Sequence, residues 1–193
     1  MLENLKRYKI VLASASPRRR ELLGGLGIDF TVRTIPGIDE SFPPDLAAEE
    51  IPVYISQKKA NAYLSSLDEK ELLITADTIV WNRGKVLGKP ESFEDAVGML
   101  RQLSGHTHQV ITGVCLLTRD KSLFFSVTSE VTFAELSEEE ITYYVETYRP
   151  LDKAGAYGIQ EWIGFVGVER ISGSFYNVMG LPIQRLYQEL KHF

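Results

Sequence analysis

The apolar positions fall into runs whose period changes along the chain. Ile10-Val11-Leu12-Ala13, inside the stretch Tyr8 to Ser14, is a short continuous run, the pattern of a strand buried on both faces. Ser16-Pro17 then opens a helix with Leu22, Leu23 and Leu26 on one face, stopped at Gly27. The serine offers a cap oxygen, and proline at the first helical position lacks only an N–H that the helix leaves unused. Phe30 and Val32 alternate with polar residues as a second short strand. Asp45 to Leu67 reads as helical, interrupted at Pro52, with Val53, Ile55, Ala60 and Leu64 available to a core. Leu72 to Trp81 is long, apolar and β-branched, hence a central strand, and Asn82-Arg83-Gly84-Lys85 turns it into Val86-Leu87. Ser92-Phe93-Glu94-Asp95 starts a helix bearing Ala96, Val97, Leu100 and Leu103, ended at Gly105. Thr107 to Thr118 and Leu123 to Leu136 form an antiparallel pair, Ser137 with Glu140 caps a helix to Tyr148, and Pro182 starts the last helix. Alternation first and a hairpin afterwards predict an α/β fold, a mixed twisted sheet flanked by helices.

Composition narrows the class. At 193 residues and 44% hydrophobic, the chain can bury a full core as one domain over residues 1–193, with room for two lobes. Its formal charge of -5 speaks against a general attraction to nucleic acid polymers or an anionic membrane, so a phosphate site has to be built locally. No segment approaches the about 18 apolar residues of a membrane span. The run after the basic N-terminal residues is too short for a secretory signal, which points to a cytoplasmic address. Cys115, the only cysteine, lies in an apolar run and reads as a buried thiol.

The sharpest local signal is Leu12-Ala13-Ser14-Ala15-Ser16-Pro17-Arg18-Arg19-Arg20, a strand running into a helix whose first turn carries three arginines. A helix N-terminus holds about half a positive charge and favours acids, so three cations there require an anionic neighbour. A phosphate chain answers, since free N–H groups, the helix dipole and guanidinium forks converge on it. The alternative is a solvated basic surface capped by Ser16. This is no Walker loop: Gly84-Lys85-Val86-Leu87-Gly88-Lys89-Pro90 has the wrong glycine spacing and a proline where a magnesium-binding hydroxyl belongs.

Asp77 interrupts an otherwise apolar strand, so it either meets a cation or is satisfied by the hydroxyls of Thr75 and Thr78. Glu40 in the loop Gly37-Ile38-Asp39-Glu40 offers a second carboxylate. Two acids beside a triphosphate require Mg²⁺ or Mn²⁺ between them, since all-oxygen sites select hard cations. Lys59 and Lys89 gain weight only as members of this set. In Asp152-Lys153-Ala154-Gly155-Ala156-Tyr157-Gly158-Ile159-Gln160 the glycines permit close backbone approach, and the Gln160 amide matches the imide edge of uracil or thymine; an ordinary glycine-rich turn is the competing reading. His106 and His108 alternate but find no third ligand, and Tyr143, Tyr144 and Tyr148 read as packing residues.

Together, Leu12-Ala13-Ser14-x-Ser16-Pro17-Arg18-Arg19, Glu40, Lys59-Ala60, Ala76-Asp77-Thr78, Gly88-Lys89-Pro90, Leu103-Ser104-Gly105, Thr112-Gly113 and the 152–160 string resemble the Maf family of nucleotide pyrophosphatases, long labelled septum-formation proteins. The likeness runs along essentially the whole chain. It implies a two-lobed α/β fold with a cleft, related to the inosine triphosphate pyrophosphatases, a divalent cation and often a homodimer. By position it makes Asp77 the proton acceptor for the attacking water and Glu40 a second acid, both metal ligands. It makes Ser14, Arg18, Lys59 and Lys89 phosphate-binding, and Arg19, Thr78 and Gln160 the positions associated with substrate choice. That trio resembles the subgroup acting on dTTP and UTP, which implies water attack at the α-phosphorus with release of pyrophosphate. The alternatives are the same chemistry on 7-methyl-GTP or CTP, and a non-catalytic nucleotide-binding regulator of cell division. Ala15 and Glu161 depart from the subgroup's pattern. If the segment is extended, Glu161 faces away from Gln160.

Overall fold

In the computed structural model, which describes residues 2–193, β1 (Lys9–Leu12) leads into α1 (Pro17–Gly24), β2 (Phe30–Val32), α2 (Glu50–Asn61), β3 (Glu71–Asn82), β4 (Lys85–Leu87), α3 (Phe93–Leu103) and β5 (Thr107–Leu117). Then follow β6 (Ser122–Phe133), α4 (Glu138–Tyr148), α5 (Trp162–Gly167), β7 (Val168–Ser172), α6 (Phe175–Val178) and α7 (Ile183–His192). The strands form a seven-stranded sheet in the order β2-β1-β3-β5-β6-β7, with β4 paired to β3. β1 is parallel to β2 and β3, whereas β4 runs antiparallel to β3 and β7 antiparallel to β6. This is the mixed sheet with flanking helices that the hydrophobic pattern predicts. Among the described residues no helix is long and apolar enough to cross a membrane.

The chain divides into two compact units: Met1–Asp77 with Thr112–Val127 and Gly180–Phe193, and Thr78–Ile111 with Thr128–Met179. β3, β5 and β6 each contribute residues to both. In the first unit, Val11, Ala60, Tyr63, Leu67, Leu73 and Cys115 form a buried cluster in which α2 packs on the strands. Burial pushes the Cys115 thiol up to about 11, so it stays an inert core group. A side chain at Gly113 would place its Cβ 2.3 Å from the Pro52 carbonyl carbon, so glycine is what lets α2 lie against the β5 backbone. The expected long helix from Asp45 is shorter and starts at Glu50. Pro52 does not interrupt it. As the third helical residue it sits in the first turn, where its missing N–H has no partner to lose.

In the second unit, Leu100, Leu103, Phe133, Tyr144, Tyr157 and Ile163 anchor a larger cluster. The foreseen helix starts are present. Ser92 Oγ accepts the Asp95 N–H at 3.1 Å, and Ser137 and Glu140 exchange both bonds of a capping box, at 3.2 and 2.7 Å. Arg83 and Gly84 both take positive φ (50° and 81°), the requirement of a tight hairpin turn between β3 and β4. The short α5, β7 and α6 had no clear periodicity to announce them.

Candidate active site

In the first unit the turn from β1 into α1 is closed by its own serines. Buried Ser14 accepts the Ser16 N–H at 3.2 Å, and Ser16 Oγ caps the helix by accepting the Arg19 N–H at 3.4 Å. Arg19 folds back into the protein: Nε donates to Gly180 O at 2.7 Å and Nη1 to Ala76 O at 2.9 Å. Burial lowers its pKa, with the Asp77 carboxylate opposing that effect, Arg18 adding to it and Glu40 opposing it. The misplaced cations at the helix start are therefore offset in part by the protein's own carbonyls and carboxylates, and an external anion is not their only explanation. Arg18 is half-buried and Arg20 exposed.

Asp77 lies on β3 with its side chain 12% exposed, and its Oδ1 accepts from Lys59 Nζ at 2.6 Å. Thr75 does not satisfy it, because the Thr75 hydroxyl donates to Ser56 O at 2.7 Å. The same Lys59 ammonium stands 2.8 Å from Glu40 Oε1. Lys59 reaches this point from α2 with its side chain 15% exposed, whereas Glu40 is 46% exposed. A carboxylate as buried as Asp77 would be costly without such a partner. The Glu40 loop is itself tied down, for Asp39 Oδ1 accepts the Ser41 N–H at 2.9 Å and Oδ2 accepts from Lys58 at 2.5 Å. Lys58 and Ser41 together hold the Asp39 carboxyl well below its ordinary range. Consecutive lysines on α2 thus hold consecutive acids in the loop. The Lys58 and Asp39 half of this arrangement escaped the sequence reading, although the adjacency of Lys58-Lys59 and of Asp39-Glu40 was its signal.

Thr78, Lys89 and Gln160 belong to the second unit. Thr78 is half-buried on β3, and Lys89 is exposed in the segment after β4. The 152–160 loop is docked beside that segment by the Gly155 N–H, which donates to Gly88 O at 3.0 Å. Gly155 has φ 66°, and a Cβ there would stand 2.7 Å from Val80, so both conformation and space require glycine. Gln160 is half-buried, and its Oε1 is buried without a hydrogen-bond partner.

Glu161 does not alternate with Gln160 across an extended segment, because 158–161 is a turn closed by the Glu161 N–H on Gly158 O at 2.9 Å. Its carboxylate accepts from the Tyr144 hydroxyl and lies 3.3 Å from Lys153 Nζ. Tyr144 stacks on Tyr148 as a packing residue does, but its hydroxyl also accepts the Gly158 N–H at 2.9 Å. That polar role was not legible in the chain. His108 is buried, with Nε2 2.8 Å from the Tyr157 hydroxyl, and desolvation pushes its pKa down to about 4. His106 bonds Ser104 O at 2.6 Å. Both histidines are structural, as their lack of a third ligand suggests.

The family described as Maf-like protein matches residues 9–193. A protein named dTTP/UTP pyrophosphatase from Parabacteroides distasonis is 65% identical over 193 residues, covering all of both chains. A protein of the same name from Porphyromonas gingivalis is 57% identical, covering 100% of this chain and 98% of that one. Among solved structures, a HAM1 protein from Coxiella burnetii superposes with a TM-score of 0.51 at 15% identity, covering 96% of this chain and 100% of that one, a likeness of fold.

Proposed function

The chain belongs to the Maf-like protein family, and from that premise we propose that it hydrolyses dTTP and UTP to the nucleoside monophosphate and pyrophosphate. Relatives carrying that name over the full chain length support the substrate class. The observation that carries the chemistry is the Lys59 ammonium held between the Glu40 and Asp77 carboxylates at 2.8 and 2.6 Å. Two hard oxygen donors already converge there on one positive centre, which fits Mg²⁺ or Mn²⁺. Among the described residues no group of three or more His, Cys, Asp or Glu is placed to hold a metal ion, so the proposed ion rests on these two carboxylates and on the family resemblance. When bound, such an ion supplies neutralisation of the phosphate charge, with Glu40 and Asp77 as its holders.

The chain's own residues do the rest. Asp77 Oδ1, released from Lys59, accepts the proton of the water that attacks the α-phosphorus. Lys59 and Arg18 stabilise the charge that builds on the departing pyrophosphate, Ser14 binds the phosphate chain, and the family resemblance gives Lys89 a phosphate-binding role as well. Arg19, fixed by Gly180 and Ala76, is assigned to substrate choice, a role the family resemblance also gives to Thr78 and Gln160. Gln160 Oε1, buried and unpartnered, is an acceptor suited to the imide N–H of uracil or thymine. A homodimer is proposed from the family resemblance, and light scattering on the purified protein measures it.

Turnover of dTTP, UTP, CTP, GTP and 7-methyl-GTP in ¹⁸O-labelled water tests the reading. Preference for dTTP and UTP with label in the monophosphate is expected. Label in pyrophosphate, or stoichiometric binding with no monophosphate, defeats it.

A further inference from the structure

The loop that carries Gln160 is held by side chains that no part of the reaction uses. Residues 158–161 form a turn with Gln160 at its third position, closed through the main chain by the Glu161 N–H on Gly158 O at 2.9 Å. The other face of Gly158 is also fixed. Its N–H donates to Tyr144 Oη at 2.9 Å, and the Tyr144 hydroxyl in turn donates to Glu161 Oε2. Glu161 Oε1 is 3.3 Å from Lys153, which is buried and also 2.7 Å from Asp152. The relay therefore starts and ends within the turn: it leaves from the first residue's N–H and returns through the fourth residue's carboxylate.

The Gln160 amide lies on the same side of Gly158 as the Glu161 end of this relay. A Cβ at Gly158 would stand 2.8 Å from Glu161 Cδ and 3.1 Å from Gln160 Nε2, so carboxylate and amide flank the same bare α-carbon. Behind Glu161, α5 crowds the turn so closely that a Cβ at Gly164 would fall 1.8 Å from Ile159 O. Ala156 holds φ 58° just upstream, an uncommon conformation for a residue with a side chain, and one that surrounding contacts have to enforce.

We infer that Glu161, acting through Tyr144 and Lys153, is a positioning residue that fixes which end of the Gln160 amide is turned to the base and thereby sets discrimination between uracil and cytosine. The chemistry is that of an amide flip. Uracil offers an N–H at the ring position where cytosine offers a lone pair, so a carbonyl oxygen turned to the base accepts from the first and repels the second. A half-turn of the amide reverses the preference at no covalent cost. Selectivity then depends on the rigidity of the turn beneath the amide, which a free loop does not supply.

This inference rests on the reading of the site as one for uracil and thymine nucleotides, and the experiment separates the two. kcat and KM are measured for UTP and CTP with the wild type, Tyr144→Phe, Glu161→Ala and Glu161→Gln, alongside thermal unfolding of each. The wild type is expected to prefer UTP. In Tyr144→Phe and Glu161→Ala the UTP-to-CTP ratio of kcat/KM is expected to fall about tenfold, the scale of one lost buried hydrogen bond. The change is expected in KM, because the reacting atoms are untouched. Glu161→Gln keeps an oxygen for the Tyr144 hydroxyl and is expected to restore most of the ratio. Tyr144→Phe preserves the packing shape and so carries the test if Glu161→Ala fails to fold. Should the ratio stay at its wild-type value in Tyr144→Phe, with only the melting temperature reduced, the inference is wrong and the proposed activity stands. A wild type that does not separate UTP from CTP removes the uracil and thymine reading itself, and the inference with it.

Discussion

The first unit gathers its polar groups as charges that cancel one another: Lys59 between Glu40 and Asp77, Lys58 on Asp39, and Arg19 on two carbonyls beside Asp77. The second unit presents a neutral amide, Gln160, on a turn braced from behind by Tyr144, Glu161 and Lys153. Charge is strong and undirected, which suits a phosphate chain common to every nucleotide. An amide is weak and directional, which suits telling one base from another. Damage to the first unit's set is thus expected to change rate for all substrates alike, and damage to the second unit's set to change their ranking.

The largest break comes at Asp77. Asp77→Asn keeps the shape, removes the proposed proton acceptor, and is expected to lower kcat about 10²- to 10⁴-fold on dTTP, UTP and CTP equally, measured by pyrophosphate release. If the loss differs strongly between bases, the division of labour fails. Next is Gly164→Ala, whose Cβ would overlap Ile159 O. A cost of about 3 kcal/mol in urea unfolding is expected, with a larger proportional loss of base preference than of rate in the protein that remains folded.

A pH effect of similar size belongs to the second unit. His108 has its pKa pushed down to about 4, below the ordinary 6.5 it regains on unfolding. Between those values the unfolded chain binds a proton that the native chain does not. Its share of stability is therefore complete above pH 6.5 and is lost as pH falls towards 4, about 3 kcal/mol in all. His108→Gln, which cannot titrate there, is expected to flatten that part of the pH dependence in denaturant melts. The smallest effect is expected from Gln160→Ala: a fall of about tenfold in UTP over CTP preference with kcat nearly kept.

Much of this contrast could be read from the chain, and the parts that could not share a cause. Local rules found β1 and α1 through Ser16-Pro17, α4 through Ser137 and Glu140, and the oddity of Asp77 in an apolar strand, because each depends on near neighbours. Position in a familiar motif set Lys59 and Glu40 beside it. The Arg19 contact with Gly180 joins residues 161 positions apart, and the Tyr144 contact with Glu161 links helix to turn across 17. No periodicity encodes such pairs. Pro52 misled for the opposite reason: a sound rule about helix interiors was applied to a residue that lies in a first turn.

The Lys59 bridge has a consequence for a cell short of the proposed divalent cation. Proteins whose acidic clusters rely on a bound ion lose their fold when that ion is withdrawn. Here the two acids already share an ammonium that the chain carries with it, so a chelator is expected to silence the protein without melting it. Resupply would then restore activity at once, with no refolding step in between.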